Sequence, residues 1–192
     1  MMNGNLLIVG AGSYALVAAE IAESMGCFGK IGFVDDRIKT LPNGGCVVGT
    51  TQDIDRLAEV YSYIIVGIGN PEVRLSLLEQ LEKNEKYQIP SLISPRACVS
   101  PAAKVMQGCI IEPMAVVHRE ATLERGCIIS AGAVINHEST CGEGVHIDCN
   151  ATVAAYACVP ERTKVCSGQV YKHADAPFKK EETAEQKEDV SQ

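Results

Sequence analysis

Written in sixes, residues 93–170 read ISPRAC VSPAAK VMQGCI IEPMAV VHREAT LERGCI ISAGAV INHEST CGEGVH IDCNAT VAAYAC VPERTK VCSGQV, thirteen units without one insertion. Twelve of the thirteen openers are Ile, Val or Leu, the exception being Cys141. The fifth residue is Ala, Cys, Ser or Thr in eleven units, Val145 and Gln169 standing apart. A bulky residue and a small one at fixed offsets within a period of six specify a parallel β-helix. The opener points into a narrow triangular core, and the small residue lets the chain turn the corner beside it. Three units make one coil, so thirteen give a little over four, stacked at about 4.8 Å.

Outside the repeat, composition mainly excludes. The formal charge of −7 comes with no basic stripe, which argues against nucleic acid as a partner. No apolar run approaches the length that spans a bilayer. The opening Met-Met-Asn-Gly-Asn has no basic flank or cleavage site, so a cytoplasmic protein without a secretory leader is expected. Nine cysteines show no CxxC or zinc spacing. Cys109 and Cys127 occupy small corner positions and Cys141 an opener position, so they read as reduced, buried apolar residues. Residues 173–192 are rich in Glu, Lys and Gln and read as a polar, disordered tail.

The first ninety residues carry a different pattern. Asn5 to Val9 is a short apolar strand ended by Gly10-Ala11-Gly12-Ser13. A helix follows over Tyr14 to Met25 with an Ala-rich face, then a strand, Lys30 to Val34, closing on Asp35-Asp36. Strand, glycine turn, helix and acidic strand end follow the order of nucleotide-binding α/β units, and the alternative for such a half-motif is a tight strand–helix turn without a ligand. Glycines let the backbone approach a phosphate, and a helix N-terminus offers free N–H groups. The third glycine of a dinucleotide fingerprint is replaced by Ala15, so a nucleotide-linked ligand fits better than a whole dinucleotide. A third strand, Tyr63 to Gly67, leads through Gly69 and Asn70 to a helix over Glu72 to Leu81. Asn70 caps that helix, and Val73, Leu77, Leu78 and Leu81 form its expected apolar stripe.

Three histidines of the repeat, His118, His137 and His146, are the candidates for a base near neutral pH. His137 takes the third place of its unit, outside the core, beside Glu138, whose carboxylate can steady an imidazolium. His118 and His146 lie nineteen residues before it and nine after, a spacing that favours a base over a metal site. For His118 an exposed residue without a role is the better reading.

These segments together resemble the sugar O/N-acetyltransferases of the sialic acid and bacillosamine pathways, the NeuD/PglD-like hexapeptide-repeat family. The Gly-rich turn, Asp35-Asp36, Ile68-Gly69-Asn70 with Arg74 downstream, and Ile135 to Asn150 carry the likeness. It implies a small Rossmann-like α/β domain over residues 1–90 and a left-handed parallel β-helix over residues 91–172. By resemblance His137 is the general base, Glu138 its partner, and His146 and Ala155 line acetyl-CoA. Gly10, Gly12, Ser13, Asp35, Asp36, Gly69 and Asn70 surround a nucleotide-linked amino sugar, in a homotrimer that needs no metal and has its cofactor between subunits. Two departures stand out: Tyr14 where the family usually has His, and a repeat ending near Val170, several units short of the family's usual length. The implied reaction is direct acetyl transfer to a sugar amine. Transfer to a hydroxyl and a non-catalytic trimeric scaffold are the alternatives.

Overall fold

A computed structural model describes residues 4–42 and 47–172. The tail expected at 173–192 lies outside the described residues. The α/β unit runs β1 (Gly4–Val9), α1 (Ser13–Met25), β2 (Phe28–Val34), α2 (Ile54–Leu57), β3 (Tyr63–Val66) and α3 (Pro71–Leu81). Its three strands are parallel in the order β2-β1-β3. Alternation along β1 sends Leu6 and Ile8 to one face and Leu7 and Val9 to the other. The first pair packs with Ala15, Ala18 and Ala22 of α1. The second packs with Leu57, Leu81 and Tyr87. Both faces are covered, so β1 reads as a continuous apolar run.

The fourteen two-residue strands from β4 (Leu92–Ile93) to β17 (Val170–Tyr171) build the β-helix. The first sheet stacks the strands that begin at Lys164, His146, Ile128, Ile110 and Leu92, the second those at Val170, Thr152, Val134, Val116 and Cys98, and the third those at Cys158, Thr140, Thr122 and Lys104. Residue i pairs in parallel with residue i+18, as in Ile129↔Ile147, Ile135↔Val153 and Cys141↔Val159. The openers from Ile111 to Val165 and the small corner residues, Cys109 and Cys127 among them, form one buried column. Every sixth residue from Gly108 to Gly168 has positive φ and turns a corner in the left-handed region. Six of those corners are not glycine, among them Glu138 and Tyr156.

Two elements tie the α/β unit to the coil. Helix α1 lies between the small sheet and the first sheet of the coil, where Leu92 and Ile110 join its core. Helix α3 lies along the third corner, and its length matches the coil. From Glu72 to Glu82 a helix rises about 15 Å, and three coils at ~4.8 Å rise about as much. Glu72 Oε2 accordingly pairs with Arg162 Nε at 3.0 Å at one end. At the other, Glu82 pairs with Arg125 at 2.6 Å and accepts from Gln107 Nε2 at 2.6 Å. Between them Leu75 and Leu78 rest on the corner column Gly108, Gly126 and Gly144.

The expected apolar stripe of α3 is corrected by this packing. Leu78 and Leu81 are buried as expected, but Val73 is 45% exposed, whereas Arg74 and Leu75 are buried. The helix is gripped from the sheet and from the coil at once, which turns a different face inward. Arg74, 1% exposed, donates from Nε to Gly126 O at 2.7 Å and from Nη2 to Gly144 O at 2.7 Å. Its Nη1 reaches Ile68 O at 2.9 Å and Gly69 O at 2.7 Å. One guanidinium thus joins the β3–α3 loop to two successive coils. An ammonium cannot match that planar fork. Arg74→Lys is therefore expected to destabilise the protein by about 2–4 kcal/mol in denaturant unfolding, because it strands buried carbonyls.

At Gly144 φ is +66°, and an added Cβ would lie 2.8 Å from Leu75 Cδ1. At Gly168 φ is +71° with open space around it. Gly144→Ala should cost about 3 kcal/mol and Gly168→Ala about 1 kcal/mol in denaturant unfolding, because both meet left-handed strain and only the first meets overlap. Equal costs would mean that α3 does not press on the corner.

Candidate active site

At the carboxyl edge of the three-stranded sheet lies a cleft of about 620 Å³. Val9 and Gly10, Val34 to Arg37, and Ile68 bring the three strand ends to it, and Thr51 and Glu72, Val73, Ser76 and Leu77 close it. The chain crosses from one side of β1 to the other between β2 and β3, and such a switch point is where open α/β sheets bind ligands. The exposure of Val73 is thereby explained, since it lines this cleft.

Of the sequence-derived ligand residues, Gly10, Asp35 and Asp36 line the cleft. The two aspartates also hold its walls. Asp35 accepts from the N–H groups of Ala11 at 2.9 Å and of Arg37 and Ile38 at 2.8 Å each. Burial pushes its pKa up, but those three donors outweigh it and hold the carboxyl below its ordinary value. Asp36 accepts from the N–H and hydroxyl of Thr51, each at 2.9 Å. Gly12 caps α1 and is exposed with Ser13 at that N-terminus. Asn70 caps α3 by accepting from Val73 N at 3.1 Å, and Gly69 gives its carbonyl to Arg74. Sequence reasoning missed Arg37, Thr51, Glu72 and Ser76, because their approach depends on how the loops fold over the sheet edge.

On the coil, His137 stands at the corner between the second and third sheets with its side chain 42% exposed. Its Nδ1 lies 3.6 Å from Glu138 Oε1, within reach of charge attraction and just beyond a hydrogen bond. Neighbouring strand residues would point apart, but Glu138 has φ +56°, and that left-handed corner turns the two side chains together. Tyr156 sets its ring edge-on to the imidazole, with centroids 5.2 Å apart. Ala155 follows His137 by one coil, in the register Ile135↔Val153. Its N–H donates to no group among the described residues. His118 is exposed.

His146 is elsewhere. It begins a strand of the first sheet, on the face that carries the α/β unit. Leu92, Ile110 and Ile128 below it are buried, so His146 forms the rim where the joint meets solvent. Its Nε2 lies 3.1 Å from Ser130 Oγ, and its ring centroid is 6.3 Å from that of Tyr14. Tyr14 Oη in turn donates to Glu112 Oε1 at 3.3 Å. In a triangular prism the corner bearing His137 is opposite the first sheet. One chain therefore does not bring His137 and His146 together. The pairing of Tyr14 with Glu112 was not legible either, since the two are 98 residues apart. Among the described residues no cluster of His, Cys, Asp and Glu could hold a metal ion.

Burial first, then the positive charges of Lys164 and Arg74, lower the pKa of His146 to about 4, although Asp148 pulls it upward. A folded-state pKa below the unfolded one means that the unfolded chain binds more protons in between. Stability contributed by neutral His146 is thus full above pH ~6.5 and declines as pH falls toward 4. Imidazole NMR should find the His146 titration midpoint near 4 and its ring neutral at pH 7. A midpoint above 6 would mean that the ring is solvated and the joint open.

Against this geometry, a family model described as the PglD N-terminal domain matches residues 5–81. The acetyltransferase domain of PglB from Neisseria gonorrhoeae FA1090, solved with acetyl coenzyme A, is 32% identical at a TM-score of 0.75, over 88% of this chain and 87% of that one. An alanine variant of GDP-perosamine N-acetyltransferase from Caulobacter crescentus, solved with CoA and GDP-perosamine, is 22% identical at a TM-score of 0.70, over 88% of this chain and 89% of that one. The second likeness concerns the fold alone. No curated protein matches the chain.

Proposed function

The chain belongs to the NeuD/PglD-like family of sugar acetyltransferases and is an acyltransferase, and from that premise we propose that it moves acetyl from acetyl-CoA directly onto the amino group of a nucleotide-linked amino sugar. The scaffold alternative falls with that membership. The observation that carries the chemistry is the His137–Glu138 pair. With Nδ1 turned toward the carboxylate at 3.6 Å, Nε2 is the nitrogen left to take a proton from an incoming nucleophile. The amine attacks the thioester carbon as His137 removes its proton, and the tetrahedral oxyanion collapses to expel the CoA thiolate. The unengaged Ala155 N–H, one coil from His137, suits that oxyanion, a contribution commonly worth about 3 kcal/mol.

The sugar nucleotide occupies the cleft at the sheet edge, with Gly10, Gly12, Ser13, Asp35, Asp36, Gly69 and Asn70 around it. His146 stands beside the thioester. A neighbouring prism of a homotrimer carries His137 to the first-sheet face, which accounts for a base and an acceptor site on opposite sides of one chain. The neighbours solved with acetyl coenzyme A and with GDP-perosamine support these two ligand classes. The amine is the acceptor of this proposal, and a hydroxyl is the alternative. The cysteines among the described residues are all free, which accords with a reducing compartment and hence with the cytoplasm. No step calls for a metal.

His137→Ala should keep the unfolding transition of the parent and lower kcat by at least ~100-fold. Acetyl-CoA-dependent release of CoA, followed over a panel of UDP-, dTDP- and GDP-linked amino and hydroxy sugars, is the measurement. An unchanged rate in the variant removes the base from His137, and turnover with hydroxy sugars alone makes this an O-acetyltransferase.

A further inference from the structure

We propose that Tyr14 and Glu112 are the residues that select an amine as acceptor, an inference that rests on the acetyl-transfer reading and names the determinant of its substrate class. Tyr14 stands in the first turn of α1 and Glu112 directly after the coil strand Ile110–Ile111. The carboxylate is held from two sides. Its Oε1 accepts from Tyr14 Oη at 3.3 Å and its Oε2 from Ala131 N at 3.1 Å. Only 9% of Glu112 is exposed, yet among the described residues no Lys, Arg or His pairs with it. Carboxylates withdrawn this far from water are ordinarily matched by a cation. Arg74, the buried cation of this region, is committed to four backbone carbonyls.

Donor and acceptor bookkeeping indicates what the missing partner is. A tyrosine hydroxyl has one hydrogen, and here it goes to Glu112, so Tyr14 Oη meets a ligand with lone pairs only. The Glu112 oxygens each keep unfilled acceptor capacity. The neutral His146 ring beside Tyr14 adds no positive charge. Arg74 and Lys164 place positive charge nearby, but their donors are taken by backbone carbonyls and by Asp148. Among the described residues, what this rim keeps open toward a ligand at Tyr14 and Glu112 is therefore acceptor capacity and the carboxylate's charge. A hydroxyl brings one hydrogen to it, whereas a sugar ammonium brings three and a charge. Charge-assisted hydrogen bonds are about twice as strong as neutral ones. The bound ammonium releases one proton to water, and His137 takes the second as the nitrogen attacks the thioester carbon. Tyr14 also explains why the pair is built across the domain joint. The helix that turns at Gly10 and Gly12 carries the hydroxyl, and the coil carries the carboxylate, so the group forms only in the docked arrangement.

Binding to the full chain without acetyl-CoA tests this apart from catalysis. The probes are UDP-, dTDP- and GDP-linked 4-amino-4,6-dideoxyhexoses and their 4-hydroxy counterparts, titrated by calorimetry. The parent protein should bind the amino member of a pair at least ~10-fold more tightly, as sites built to hydrogen-bond a substrate group discriminate strongly. Glu112→Gln should cut that preference to about threefold or less and leave affinity for the hydroxy sugar within about twofold, since charge is lost and shape kept. Tyr14→Phe should reduce the preference less. Thermal unfolding of each variant accompanies the titrations, and if Glu112→Gln unfolds early, Tyr14→Phe decides alone. A preference that survives both substitutions, an equal loss for both sugars, or no preference in the parent overturns the proposal. Amine-selective binding without any acetyl transfer would count against the transferase chemistry and leave the role of this pair standing.

Discussion

The Arg74 guanidinium is the piece on which the arrangement of this molecule depends. It is buried, it has no carboxylate partner among the described residues, and its charge is met by four carbonyl dipoles from three segments. Burial lowers its pKa from the ordinary value, but an arginine remains a cation at any working pH. Leaving the carbonyls of Gly126 and Gly144 on one side and Ile68 and Gly69 on the other without it would strand buried acceptors. Separating the α/β unit from the coil is therefore costly. The charged contacts at the two ends of α3 are partly exposed and contribute less. They set the alignment of the helix along the coil, while Arg74 sets its depth.

Fixing that joint has a functional consequence. The cleft at the sheet edge, the first turn of α1 and the rim of the first sheet become one rigid surface, with Tyr14, Glu112 and His146 at fixed separations. The His137 corner is rigid for a different reason: the eighteen-residue ladder holds every corner to the one above and below. Two stiff surfaces on opposite sides of one prism suit a reaction that needs its groups positioned before the acceptor arrives. On the proposed reading, self-association supplies the only movement required, that of bringing one surface against the other.

Much of this was open to reading in the chain itself. The hexads announced the coil, its phase and its inward column, because the repeat is local and each unit has the same task. Gly10, Asp35 and the cap at Asn70 follow from turn chemistry within a few residues. The limits lie where one element meets another. Val73 and Leu77 fit a helical stripe as well as Leu75 and Leu78 do, and only the corner glycines choose between them. Arg74 sits at helical spacing from Leu78 and Leu81, yet sequence periodicity has no means of marking a buried cation whose partners are backbone atoms. Adjacency alone could not say whether Glu138 turns toward His137, since that depends on a left-handed corner filled by a non-glycine residue.

By itself, then, the sequence determined the two folds and the inward column of the coil, both consequences of patterns with a short period. Which helix face turned inward, which carboxylate met Tyr14, and which side of the prism received the α/β unit were decided only in the tertiary structure. Those outcomes depend on close approach between segments as far apart as Tyr14 and Glu112 or Arg74 and Gly144. Packing and buried polar satisfaction act through distance in space, and no periodicity along the chain encodes them.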